Sequence, residues 1–379
     1  MRVLFMFGLN PSESTPLRLI GGTLTALALS LAVAMPAAAA TNATPAPSSF
    51  AYGTIVNEQS DAALAHAGGF NTMSMYVAWS NIEPSRGQYV FEQKNQWGQP
   101  VANDLTNVVN AARNNGLKLG LRLDSPPAWA GSAVYELDPA DVQDYVYHVV
   151  KYAAGTIAYV EVFNEMNLPL EWGTSPVDPA AYARILAGAY AGAKQADPNV
   201  LVVSAAPSQR TGGLGGTMED VDWLNGLYDA GGAAYFDALG MHAYIGNQDP
   251  TSDPTACTPM CFRDIELYRQ VMEQRGDAAK KALITEFGTL EQTSVDLGPY
   301  AWMELPAATR ADYLVQALHM ASTQYPWLIG ATVFNLDFAS NPSLPSNSER
   351  PWFSLLNADG TPRQAYTAFQ NARTTGYLS

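Results

Sequence analysis

The sequence predicts an α/β fold, and within that class a closed (β/α)8 TIM barrel formed by one domain. Three observations carry this expectation. Short apolar runs recur eight times after Ser49, and each is followed by a segment of helical periodicity. The runs are rich in Val, Ile, Leu and Tyr and mostly lack polar alternation, as parallel strands buried on both faces do. Eight strand–helix units in about 320 residues fit a closed barrel better than an open doubly wound sheet.

The strand candidates are residues 52–57, 71–77, 117–123, 157–163, 200–204, 236–242, 281–285 and 329–334. The helices between them are well punctuated. Asn103-Asp104 precedes Leu105, Val108, Val109 and Ala112, an i, i+3, i+4, i+7 stripe that Gly116 ends. Asp138-Pro139 supplies an N-cap and a first-turn proline to a helix running to about Ala154, and Asp178-Pro179 does the same for 179–196. Further helices fit 59–67, 219–230, 262–275, 307–324 and 362–372. The glycine run 212–216 follows the fifth strand but is not the G-x-G-x-x-G of a dinucleotide site, so it reads as a flexible rim loop. No cofactor is expected.

The N-terminus reads as a targeting segment. Arg2 and Arg18 flank a long basic region, Leu19 to Met35 is apolar and uncharged, and Ala37 to Ala40 offers a small-residue cleavage site. A transmembrane anchor is the alternative, but the apolar run is slightly short for one and small residues follow it. Residues 1–40 are therefore expected to be a signal peptide, 41–49 (TNATPAPSS) a disordered spacer, and 50–379 the folded domain. The protein is expected to be secreted, extracellular or periplasmic, with no membrane span once the signal is removed.

Hydrophobic residues make up 47% of the 379 and charged residues 15%, enough apolar material for a large core. The formal charge of −15 becomes −16 when Arg2, Arg18 and Glu13 leave with the signal. That excludes nucleic acid and anionic membranes as partners and makes an acidic polysaccharide an awkward one. Charge that merely solubilises a secreted protein is the plainer explanation. A monomer is expected. The two cysteines, Cys257 and Cys261, lie four apart in a proline-rich loop. No second pair and no nearby histidine completes a metal site, so a disulfide in an oxidising compartment is expected.

Barrel active sites form at the C-terminal ends of strands, and this rule sorts the polar residues. Glu165 ends the fourth strand candidate, His242 and Tyr244 the sixth, and Glu286 the seventh, while Asp337 follows the eighth. A strand buried in a sheet has no cheap place for a lone carboxylate at its end. Two such ends aim two carboxyl groups at one spot, and cleavage of a glycosidic bond requires two opposed carboxyls. The plain alternative is a pair of capping or salt-bridged carboxylates.

Several motifs resemble clan A of the glycoside hydrolases, with family 39-like and family 5-like features over most of residues 50–372. Glu161-Val-Phe-Asn-Glu-Met-Asn-Leu-Pro169 is similar to the clan's Asn-Glu motif, and Leu283-Ile-Thr-Glu-Phe-Gly288 to its nucleophile motif. Tyr76-Val-Ala-Trp-Ser-Asn-Ile-Glu-Pro84, Ser125-Pro-Pro-Ala-Trp-Ala130 and the segment from Arg350 to Tyr366 resemble further parts of such enzymes. The resemblance implies a retaining hydrolase acting on a carbohydrate by double displacement. Glu165 would be the acid/base and Glu286 the nucleophile. Asn164 would bind the sugar 2-hydroxyl, Tyr244 would orient Glu286, and His242 would line the cleft.

Other residues are weighed against blander roles. Glu161 shares the strand parity of Glu165 and is expected to lie deeper, hydrogen-bonded inside the barrel. Asp124 and Asp337 either bind sugar hydroxyls or form turns. The clan often carries an arginine late in its second strand, where this chain reads Met73-Ser74, and Arg122 is the candidate replacement. Trp79, Trp129, Trp172 and Trp302 near rim loops are candidate stacking platforms for sugar, or else packing. His66, His148 and His319 fall within helices. The absence of H-E-x-x-H, and of H-x-H at the first strand end, disfavours a metal-dependent barrel hydrolase. A catalytically silent carbohydrate-binding barrel is the alternative reading. Endo or exo action turns on rim loops such as 209–218 and 245–262.

Overall fold

A computed structural model describes residues 49–379 apart from Gln99, Pro100, Ala102, Ser132, Ser175 and Gly213. The expected signal peptide and nearly all of the spacer lie outside the described residues. Eight strands pair in parallel and close into a barrel. They are β1 (Ala51–Ile55), β2 (Thr72–Ala78), β3 (Lys118–Asp124), β4 (Ile157–Val162), β5 (Leu201–Ser204), β6 (Ala238–His242), β7 (Lys281–Phe287) and β8 (Leu328–Val333). Each neighbours the next in sequence, and β8 pairs with β1 to complete the ring.

A helix follows every strand: α1 (Ala62–Ala67), α2 (Leu105–Asn114), α3 (Pro139–Tyr152), α4 (Pro179–Ala196), α5 (Asp220–Asp229), α6 (Ile265–Gln274), α7 (Ala307–Thr323) and α8 (Gln364–Thr374). The caps read from sequence form. Asp104 accepts from the Asn107 amide, Asp138 from that of Ala140, and Asp178 from those of Ala180 and Ala181, which satisfies amides a helix start would otherwise leave unpaired. Helices α3 and α4 approach closely because Gly188 faces them with no side chain. A Cβ there would lie 2.1 Å from the Pro139 carbonyl oxygen. A continuous apolar cluster joins helix residues such as Val146, Leu186, Leu224 and Leu318 to strand residues such as Leu121 and Val160.

The strands differ from their expected bounds at the ends that matter for the site. β7 runs to Phe287, so Glu286 is its penultimate residue, while β4 stops at Val162. After β7 the chain adds two short paired strands, Leu290–Glu291 and Glu304–Leu305. They pack near the C-terminal mouth with Tyr244, Met303, Phe334 and Phe353. Among the described residues no helix is long and apolar enough to cross a membrane.

Candidate active site

Glu286 is the best-held side chain of the mouth. Its Oε1 accepts hydrogen bonds from the Tyr76 hydroxyl at 3.1 Å and from Arg122 Nη1 at 2.9 Å, and its Oε2 from the Tyr244 hydroxyl at 2.7 Å. β2 and β3 run in register here, with Tyr76 opposite Arg122. The Arg122 guanidinium lies 3.6 Å from the centre of the Tyr76 ring, a cation–π contact. Burial disfavours the charge on Arg122, but Tyr76, Asp124 and Glu286 outweigh it and hold the group charged. Burial, then Glu286, raises both phenols well above their usual value, so each stays a donor. The sequence shows no arginine late in β2, and Arg122 of β3 reaches the carboxylate instead.

Glu165 is positioned by a turn. Beyond Val162 the chain leaves the strand through Phe163 at φ 65° and Glu165 at φ 44°, both in the left-handed region. Such conformations cost about 1–3 kcal/mol each for residues other than glycine and cluster at functional sites. The Glu165 amide is pinned to the Ala206 carbonyl at 3.0 Å. The side chain meets His242 Nδ1 at 2.9 Å through Oε1. The other ring nitrogen of His242, Nε2, lies 3.8 Å from Glu286 Oε2. One buried imidazole therefore stands between the two carboxyls. Burial opposes its charge, but Glu286 and the hydrogen-bonded Glu165 overcome that and raise it to about 8.

The left-handed turn also changes the account of Glu161. Strand alternation ends at Val162, so parity does not relate Glu161 to Glu165. Glu161 is nonetheless buried beneath the site, opposite Arg122 in the β3–β4 register. Burial raises it to about 7, against the pull of His242 and Arg122. Its Oε1 has no hydrogen-bond partner, so the hydrogen-bonded interior role expected of it is incomplete.

Asn164 donates to Glu171 Oε1 at 3.3 Å. Its Oδ1 is buried without a partner, as are Glu165 Oε2, His242 Nε2 and Arg122 Nε. Buried polar atoms are normally paired, so this concentration marks where a polar ligand belongs. Beside it lies a cavity of about 240 Å³ lined by Tyr76, Arg122, Asp124, Glu171, Phe338 and Arg350, among others.

Other candidates fall elsewhere. Asp337 is 1% exposed and accepts from the backbone amides of Asn57 at 2.7 Å and Glu58 at 3.0 Å. It ties the loop after β1 to the end of β8, which is a structural task and not an open sugar-binding one. Trp79 and Trp172 are buried and offer no free face. Trp79 stacks on Tyr145 at 4.6 Å and donates to Glu83. Trp129 is partly buried, donates to the Glu83 carbonyl, and has Arg86 over its ring. Trp302 is partly exposed and packs against Gly246 in the loop after β6. Cys257 and Cys261 are joined in a disulfide. Arg210 pairs with Asp264 just beyond them and also donates to the Pro254 carbonyl, which fastens loop 209–218 to loop 245–262. Tyr76 and Glu171 were not singled out from sequence. Tyr76 could have been found by its place at the C-terminal end of β2. Glu171 sits in a single helical turn, Pro169–Trp172, too short for periodicity to signal it.

The profile of the family described as cellulase (glycosyl hydrolase family 5) matches residues 36–327. No curated protein matches the chain. Solved structures share its fold. A family 39 glycoside hydrolase from Bacteroides cellulosilyticus WH2 superposes with a TM-score of 0.63 at 19% identity, over 86% of this chain and 64% of that one. The exo-beta-1,4-mannosidase of Opitutaceae bacterium strain TAV5 gives 0.55 at 17% identity, over 87% and 60%. A GH5_18 variant from Streptomyces cattleya, in complex with Manb1-4GlcNAc, gives 0.57 at 16% identity, over 84% and 75%. The chain thus spans less than two thirds of the length of the first two.

Proposed function

We propose that this chain, which belongs to glycosyl hydrolase family 5, is a secreted retaining glycosidase that cleaves β-linked O-glycosidic bonds of an oligo- or polysaccharide. The observation that carries the reading is the pair of carboxyls flanking one imidazole, Glu165 at Nδ1 and Glu286 at Nε2. Two carboxyls on one site are what glycoside hydrolysis uses.

In the first step a Glu286 oxygen attacks the anomeric carbon while the bond from that carbon to the leaving oxygen breaks. Glu165 passes its proton to the leaving oxygen. Glu165 Oε2 has no hydrogen-bond partner in the protein, which supports this role. In the second step Glu165, now ionised, takes a proton from water. The water oxygen attacks the anomeric carbon and the ester bond to Glu286 breaks. Tyr76, Arg122 and Tyr244 hold Glu286 in one rotamer and disperse its charge. The buried unpartnered oxygen of Asn164 offers a contact to a sugar hydroxyl.

The test separates the two roles. Glu165→Ala should still be glycosylated by aryl glycosides with good leaving groups, then stall for want of a base. Azide needs no base, so it should restore turnover and give the β-glycosyl azide. In Glu286→Ala, azide should attack directly and give the opposite anomer. Reversed behaviour of the two variants would exchange the roles. Wild-type activity in both would remove the mechanism.

A further inference from the structure

Resting on the glycosidase reading above, we infer that Gln209 is a positioning residue for the reaction: its carboxamide fixes Tyr244, and through Tyr244 the nucleophile Glu286. β5 ends at Ser204 and meets β6 at a single register pair, Val203 with Ala238. On its other side β6 is extended by a continuing ladder. The amides of Ala243 and Ile245 donate to the carbonyls of Glu286 and Gly288, each at 2.9 Å. Alternation along the backbone turns the Tyr244 amide between them the other way, toward the side where β5 has stopped. A buried amide left there without a partner would be costly. The Tyr244 amide donates instead to Oε1 of Gln209, so a buried side chain stands in for the missing strand.

The other end of the carboxamide is anchored as firmly. Gln209 Nε2 donates to the Cys261 carbonyl and to Asp264 Oδ2, both at 3.3 Å. Cys261 is held by its disulfide, and Asp264 by Arg210 and by the Cys261 amide at 3.2 Å. A flipped amide would point its NH2 at the Tyr244 N–H, so these partners fix its orientation. Gln209 makes no hydrogen bond to either carboxyl of the site. Its route to the chemistry is the Tyr244 backbone, then the Tyr244 hydroxyl, which donates to Glu286 Oε2 at 2.7 Å.

The residues just before Gln209 brace the opposite carboxyl. The Ala206 carbonyl accepts from the Glu165 amide at 3.0 Å. Ser208 exchanges two bonds with the Asn167 side chain, its carbonyl accepting at 3.0 Å and its amide donating at 2.8 Å. One short segment after β5 is thus bonded to the turn that carries Glu165 and to the residue that holds Glu286. A misplacement of about 1 Å at a reacting group can cost about 10²-fold in rate. Gln209 is the only side chain of this segment that bonds to the Tyr244 backbone.

The test compares the whole enzyme with Gln209→Met, Tyr244→Phe and the double variant on 4-nitrophenyl β-glycosides of neutral sugars. Methionine fills a similar volume but makes neither bond. Gln209→Met should lower kcat about three- to ten-fold, the worth of one hydrogen bond, with KM near wild type. In the Tyr244→Phe background the same change should cost less than about two-fold, because the hydroxyl it positions is gone. Gln209→Asn keeps a polar amide in the buried site but is one methylene short of spanning both anchors. It should show the same loss and the same dependence on Tyr244, and it serves where the methionine variant does not fold. An undiminished loss in the Tyr244→Phe background would mark a merely structural role and overturn the inference. So would wild-type kcat in either Gln209 variant, or a change confined to KM. Each of these results leaves the glycosidase reading in place, since the wild type still turns over. Failure of the wild type to cleave any glycoside would overturn both.

Discussion

The two ends of the barrel carry cavities of opposite character. One of about 540 Å³ lies at the N-terminal end, with Lys118, Ile157, Tyr159, Leu283 and Ile329 in its lining. One of about 240 Å³ lies beside the C-terminal cluster. At the N-terminal end Tyr159, Val203, Ala238, Leu283 and Ile329 form an apolar plug. The polar Asn71 there is used up, accepting from the Tyr52 amide and donating to the Phe50 carbonyl, both at 3.0 Å. At the C-terminal end Glu161, Glu165, Glu286, His242 and Arg122 are all buried, and several of their polar atoms lack partners. Burying charge is costly unless it is paired. One end of the barrel therefore contributes stability through packing, and the other gives some up in burying charged groups that lack full partners.

Substitution at each end should separate these tasks. The largest effect is expected from Glu286→Ala, a loss in kcat on the order of 10⁵-fold or more, as when a nucleophile is removed elsewhere. Glu165→Ala should lose about 10²–10⁴-fold on substrates with poor leaving groups. Steady-state kinetics with matched good and poor leaving groups would show it, and equal losses on both would contradict an acid role. At the other end Ile329→Ala should cost about 2–5 kcal/mol in denaturant unfolding while kcat stays near wild type. A comparable loss of kcat there would erase the contrast between the ends.

The charged end should also set the pH dependence of stability. His242 is raised to about 8, Glu161 to about 7 and Glu171 to about 8. In each case the folded protein binds the proton more tightly than the unfolded chain. The stabilisation is full below the unfolded pKa and is lost as pH rises through the folded one. For the carboxyls that window opens near the usual 4.5, and for the imidazole near 6.5. The imidazole alone is worth about 2 kcal/mol. The melting temperature should therefore fall from about pH 5 to about pH 9, and Glu161→Gln should flatten the slope. A melting temperature that climbs over this range would show that these groups are not held as described.

The smallest expected effect lies at the disulfide. Denatured, unreduced mature protein should show no free thiols on titration, and two free thiols would contradict the bond. Cys257→Ser should cost about 2 kcal/mol or less, since the ring it opens is short.

Much of this contrast was legible in the sequence. The eight apolar runs and the Asp-Pro helix starts placed the barrel, because burial on both faces and capping are local requirements. Strand-end position then brought Glu165, Glu286, His242, Tyr244 and Arg122 to one mouth. What failed to show were effects made by distant segments meeting. Trp79 could be read from sequence as a rim platform or as packing, and Tyr145 and Glu83 take up its ring and its N–H. Asp337, expected either to bind sugar hydroxyls or to form a turn, is instead taken up by the amides after β1. The left-handed turn at Phe163 and Glu165 uses residues that do not announce it, so parity misplaced the relation of Glu161 to Glu165. Glu171 belongs to a single helical turn whose contact with Asn164 is fixed only by the fold.

The central claim is that Glu165 and Glu286 act in turn on one anomeric carbon. Its most direct test is proton NMR of the first sugar released by the wild-type enzyme from a β-glycoside, recorded before mutarotation. Double displacement predicts that the β-anomer appears first. Appearance of the α-anomer first would mean a single displacement by water and would contradict the role given to Glu286.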